Sequence, residues 1–111
     1  MNDVHDRLYE LKADLIKAAA HPIRLAIIDC LRDGEECVCR IAEQVEAERS
    51  NVSRHLALMT KAGLIDSRKD GLKVFCGLQT PCILEFLACA DRWLRERIER
   101  ETALLDALEP E

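Results

Sequence analysis

Two sets of side chains in this sequence are of types that do chemistry. The first is the pair Cys37 and Cys39, separated only by Val38. Residues two apart on a regular helix point away from each other, but at a helix start both sulfurs can turn towards one point. The helix dipole and the free N–H groups there also favour thiolates. Paired thiolates are preferred ligands of soft ions such as arsenic(III), cadmium or lead. The plainer reading is two small buried hydrophobes, because free cysteine is among the most buried residue types; spacing alone does not separate the two. The second set lies downstream: Ser50, Asn51, Ser53, Arg54 and His55, then Arg68, Lys69 and Lys73. Arginine and asparagine have the bidentate geometry that reads base edges, while serine and lysine hold phosphates.

Charge supports a polyanionic partner for this second set. From Arg49 to Lys73 the chain carries six basic and two acidic residues, a local balance of +4. The whole chain carries −5, so the rest amounts to −9. A basic island in an acidic chain is an electrostatic footprint for nucleic acid.

The elements that must position these residues are legible from periodicity and turn residues. Ile41, Ala42 and Val45 define a short helix over Cys39–Val45, and a polar turn follows at Glu46–Arg49. A second helix is predicted over Asn51–Ala62, with Val52, Leu56 and Met59 inward, Ser50 as N-cap and Gly63 closing it. Leu64–Lys69 and Leu72–Leu78 read as two strands around the turn signal Asp70-Gly71. Two short helices followed by a hairpin are the parts of a winged helix-turn-helix, which places its second helix in the DNA major groove. Before them, helices are predicted over Asp3–Ala19, with the apolar stripe Leu8, Leu11, Leu15 and Ala19, and over Pro22–Arg32, with His21 at the junction. After them, Thr80 as N-cap and Pro81 open a helix reaching Leu108. Its span of roughly 40 Å exceeds what so small a core needs. The surplus apolar face, including Phe86, Trp93, Leu94, Ile98 and Leu104, is predicted to meet a second copy. A twofold dimer presents two recognition helices to a palindromic operator.

Composition bounds the rest. A chain of 111 residues, 49% hydrophobic and 33% charged, is one globular domain. Its expected anatomy is terminal dimerisation helices at 1–20 and 80–111, a helix-turn-helix at 37–64 and a wing at 65–78. The stretch MNDVHDRLYE lacks the apolar core of a secretion signal, and no apolar run approaches the ~20 residues of a membrane span. The reading is a cytoplasmic chain without a membrane partner, in which six cysteines do not form a structural disulfide framework. No cysteine has a histidine and an acid at nucleophile spacing, and no Gly-rich phosphate loop is present, so an enzyme is disfavoured.

The residues that carry these readings resemble a known family. SNVSRHLALMTKAGLI, preceded by HPIRLAIIDCL and CVC and followed by a DG-turned hairpin, resembles the ArsR/SmtB family of metal-responsive repressors over about Leu11–Leu78. The resemblance implies a mainly α winged helix-turn-helix of about five helices and a two-stranded wing, dimerising through its first and last helices. It implies a homodimeric repressor of double-stranded DNA, and it makes Cys37 and Cys39 the thiolate sensing pair. This branch adds a third cysteine shortly after the pair, or cysteines near the N-terminus from the other subunit; here Ala42 stands at the first place and no cysteine precedes Cys30, which, at the end of the second helix, is one candidate third ligand and otherwise a core residue. Cys76, Cys82 and Cys89 could form a second thiolate cluster or serve as small packing residues. The histidine and carboxylate pattern of related zinc sensors is missing from the last helix, which disfavours zinc and nickel. The competing effector class is redox: Cys30 and Cys89 could bridge through a disulfide or polysulfide, an arrangement that resembles sulfide-responsive members.

Overall fold

The computed structural model describes residues 3–108. It contains, in order, α1 (Asp3–Ala19), α2 (Pro22–Cys30), β1 (Glu36–Cys37), α3 (Val38–Val45), α4 (Arg49–Lys61), β2 (Ile65–Asp70), β3 (Lys73–Leu78) and α5 (Ile83–Leu108). This is the expected winged helix-turn-helix with five helices. The chain forms two compact bodies, one up to Pro81 and one from Cys82 onwards.

The first body is held by an aliphatic core. Ile27, Ile28 and Leu31 from the α2 region, Ile41 from α3, Val52 and Met59 from α4, and Leu64 and Ile65 beyond it are all buried. Each such side chain contributes about 1.5–3 kcal/mol when fully buried. In α4 the buried positions Val52, Leu56 and Met59 follow helical spacing, which fixes the opposite face outward. The helix ends as its sequence requires. Gly63 takes a φ of +85°, its N–H donates to Thr60 O, and the Leu64 N–H reaches back to Met59 O at 3.0 Å. That paired closure satisfies carbonyls the helix end would otherwise leave open. The turn between α3 and α4 is made by Glu46, the one non-glycine among the described residues with positive φ (53°).

Several boundaries differ from the sequence expectation. Ser50 is not the α4 N-cap: the helix starts at Arg49, Glu48 holds the cap position and its side chain makes no cap bond. Thr80 does not cap α5. Its hydroxyl donates to Gly63 O at 2.8 Å, tying the end of the wing to the end of α4, and α5 begins at Ile83. The second helix stops at Cys30 instead of Arg32. Along α1 only Ala18 and Ala19 are buried; Leu8 and Leu11 are exposed. The sheet has a third strand that the sequence reading omitted: β1 pairs antiparallel with β3, giving the order β1-β3-β2. At two residues it is too short for an alternation pattern to show.

The body from Cys82 onwards is α5 itself, 26 residues long. Its apolar residues Phe86, Trp93, Leu94, Ile98, Leu104, Leu105 and Leu108 are exposed. No helix among the described residues is long and apolar enough to cross a membrane.

Candidate nucleic-acid interface

The outward face of α4 carries Ser50, Ser53 and Arg54, all exposed, with Asn51 half-buried at its edge. The wing adds exposed Arg68, Lys69 and Lys73. Among the described residues, Arg54, Lys69 and Lys73 make no ion pair and are free to meet phosphate or base. Arg68 is different. Its Nε bonds Glu35 Oε2 at 2.8 Å, its guanidinium lies 3.9 Å from Asp70, and its planar head sits 4.9 Å from the Phe75 ring centre. It is tied across the sheet while its side chain stays 54% exposed. Gly77 leaves room for the Glu35 stem: a Cβ there would stand 3.2 Å from Glu35 Cγ, so the side chain would have to give by a few tenths of an ångström. None of Glu35, Phe75 or Gly77 signals that network in the sequence, because it forms between strands.

His55, expected to face DNA, makes a contact of its own within the protein. It lies on the flank of α4, half-buried, its ring 4.5 Å from that of His21. His21 caps α2, its Nδ1 accepting the Ile23 N–H at 3.1 Å. Partial burial, then His21, Arg24 and Arg54, push the His55 pKa below its ordinary value. His55 therefore joins α2 to the recognition helix and stays neutral more readily than a free histidine.

The cysteine pair sits where helix-turn-helix and wing meet. Cys37 ends β1, opposite Phe75 of β3, and is also the N-cap of α3; Cys39 lies in the first turn of α3. Cys39 is exposed and Cys37 half-buried. Both are therefore at a helix start, as the spacing suggested. Cys76 belongs to the adjacent strand, one position from Phe75. Alternation along the strand puts its side chain on the opposite sheet face from Cys37. It faces the groove between α4 and the wing, where Val38, Val74 and Leu56 also lie. Burial, reinforced by Asp66 and Glu35, pushes the Cys76 thiol pKa up. The Cys30 thiol is likewise pushed up by burial and by Asp29 and Glu36. Both shifts disfavour the thiolate, which weighs against Cys30 as the attacking group. Cys82 and Cys89 are exposed. Among the described residues, no three His, Cys, Asp or Glu side chains come together as a metal site.

A helix-turn-helix with a hairpin wing and free cations on both has the parts of a DNA-binding module. Residues 21–67 match the profile of the bacterial regulatory protein, arsR family. Over 102 residues the chain is 33% identical to Rv0081, an uncharacterised HTH-type transcriptional regulator of Mycobacterium tuberculosis, covering 91% of this chain and 90% of that one. The crystal structure of that protein matches with a TM-score of 0.72 and 32% identity, over 86% of this chain and 96% of the other. A homodimeric winged helix-turn-helix DNA-binding domain of Mb0332 from Mycobacterium bovis, described as a possible ArsR-family regulator, matches with a TM-score of 0.78 and 25% identity, over 90% and 93% of the two chains. The arsenical resistance operon repressor of Escherichia coli is 39% identical over 62 residues, 55% of this chain and 53% of that protein. The chain belongs to the ArsR family. It is a DNA-binding transcriptional regulator and not an enzyme.

Proposed function

We propose that this protein is a homodimeric repressor that binds a palindromic operator and releases it when a thiophilic metal or metalloid occupies Cys37 and Cys39. The observation that carries the proposal is the double attachment of Cys37. Through α3, which packs on α4, it bears on the recognition helix; through β1, paired with β3, it bears on the wing. An ion drawn to both thiolates reshapes the α3 start and so disturbs both DNA-contacting elements. Arsenic(III), cadmium and lead fit the donor type. The described residues bring two cysteines to this point, and a third donor would be Cys30 or a cysteine of the second subunit. In the DNA complex Asn51 and Arg54 read bases, Ser50, Ser53, Lys69 and Lys73 hold phosphates, and His55 and Arg68 position the elements that do so.

Arg54→Ala should weaken operator binding by about 1–3 kcal/mol and relax sequence choice. Lys69→Ala should weaken binding to all sequences alike and flatten the salt dependence. A coupling of ~1–3 kcal/mol between metal and DNA lowers operator affinity some 5–150-fold. The test is a titration of the operator complex with arsenite, cadmium or lead. The C37S and C39S forms should bind operator normally yet stay bound when metal is added. Normal release by both variants would remove the pair as sensor. Release by an oxidant or persulfide donor, but by no metal, would replace the effector class.

A further inference from the structure

We infer that Leu72, at the tip of the wing, enters the minor groove of the operator as an apolar wedge and bends the DNA. The inference rests on the winged-helix reading of DNA binding and adds a residue that this reading leaves idle. Asp70 pairs with Lys73, so the hairpin is closed by two residues, Gly71 and Leu72. Gly71 has a φ of +63° while Leu72 is not among the positive-φ residues, which is the pattern of a II′ turn with glycine first. The turn makes Leu72 the apex. Its side chain is exposed to 103% of its reference area, beyond every other exposed large apolar residue, and among those described it is the only such residue outside the helices. The others lie on helices, most of them on α1 and α5.

The hairpin that carries it is built to reach. Its two strands pair over six residues, and Asp66 to Asp70 of β2 are all exposed, so the tip stands off the body. Six residues extend about 20 Å at strand spacing. Lys69 and Lys73, both without an ion pair among the described residues, flank the leucine. Asp70, opposite Lys73, lies 3.9 Å from the Arg68 guanidinium, which leaves an apolar apex beside two free cations, and that matches minor-groove chemistry. The ammonium groups meet the phosphates that border the groove, and a leucine is among the side chains that unstack a base step there. Water gains nothing from a leucine held fully exposed, whereas the stacked edge of a base step desolvates it. The expected preference is for a flexible pyrimidine–purine step under the wing, which costs least to open.

The experiment uses the full chain and a duplex of about 30 base pairs that the protein has selected from a random pool, labelled at both ends for energy transfer. Wild-type protein should shorten the end-to-end distance, and Leu72→Ala should lose most of that bend with roughly tenfold lower affinity, the size of one poorly matched base step. Leu72→Met should restore both. The salt dependence should be the same for all three, because no charge changes. A fully exposed tip residue leaves the fold intact, which circular dichroism checks. Wild-type affinity and bend retained by Leu72→Ala would overturn the wedge while leaving the DNA-binding reading in place. Failure of the wild type to select any duplex would overturn both.

Discussion

His21 offers a test of how the recognition helix is held. Its imidazole does two things: Nδ1 accepts the Ile23 N–H at the start of α2, and the ring lies 4.5 Å from that of His55 on α4, tilted by 45°. His21→Ala removes both. Losing a side-chain N-cap costs about 1 kcal/mol. Losing a ring contact of this geometry costs about 0.5–1 kcal/mol, the lower part of the aromatic-pair range because the pair is only half-buried. The sum, about 1.5–2 kcal/mol, lowers the melting temperature by roughly 10 °C for a chain of this size. His21→Asn keeps a good capping oxygen without the ring and should recover about 1 kcal/mol of the loss. Urea unfolding at fixed protein concentration measures all three proteins on one scale.

Acid supplies a second readout. Partial burial and neighbouring positive charge hold the folded-state pKa of His55 below 6.5. Between that folded value and 6.5 the unfolded chain binds more protons than the folded one, so stability rises with pH. The contribution is complete above 6.5 and is lost as pH falls through the folded value. His21 is one of the groups that depress His55. Both His21 variants should therefore lose less stability on acidification from about pH 7.5 to 5.5 than wild type does. If His21→Asn is no more stable than His21→Ala, the cap does not hold α2. If the pH dependence is the same in all three, the histidine contact does not couple the two helices.

Three further outcomes follow from the same geometry. Glu35→Gln removes the carboxylate that holds Arg68 at 2.8 Å, so operator affinity should rise and the salt slope should steepen by about one unit per site, as Arg68 gains a phosphate; the half-exposed pair itself contributes at most about 0.2–1 kcal/mol to stability. Leu94→Glu places a charge on the exposed apolar face of α5, and sedimentation should show monomers with weak operator binding, since two half-sites no longer act as one ligand. Met59→Ala, at a position with no exposure in the middle of α4, should destabilise the fold by about 2–5 kcal/mol, read by denaturant midpoint.

Much of this was readable in the sequence, for physical reasons that also explain where it stopped. Val52, Leu56 and Met59 declare α4 because burial follows helical period, and Gly63 declares its end because few other residues take its φ. Asp70-Gly71 marked the hairpin but not its register: pairing of Asp70 with Lys73 moved the loop by one residue, turning Leu72 from an expected strand residue into the apex. Cap residues were over-read. Ser50 and Thr80 have the right chemistry, but each hydroxyl answers to the whole neighbourhood, and that of Thr80 found Gly63 O instead. Pairings between distant segments were beyond sequence: β1 with β3, Glu35 with Arg68, His21 with His55. No local pattern encodes them, because each partner looks like an ordinary surface residue on its own.

These long-range pairings change what the basic island means. Counted along the chain, Arg68 is one of six cations available to a polyanion. In three dimensions it is already committed to Glu35, beside Asp70, while Arg54, Lys69 and Lys73 have no carboxylate within ion-pair distance among the described residues. The same Glu35–Arg68 bridge spans from the residue before β1 to β2, and β1 carries Cys37. Chemistry at Cys37 thus begins next to the fastening that orders one edge of the wing, and only a three-residue turn separates the end of α3 from the start of α4. An effector at this point has no long route to travel. In the proposed mechanism it would act on a junction from which the recognition helix and the wing both depart, where a small change would shift the spacing that an operator requires.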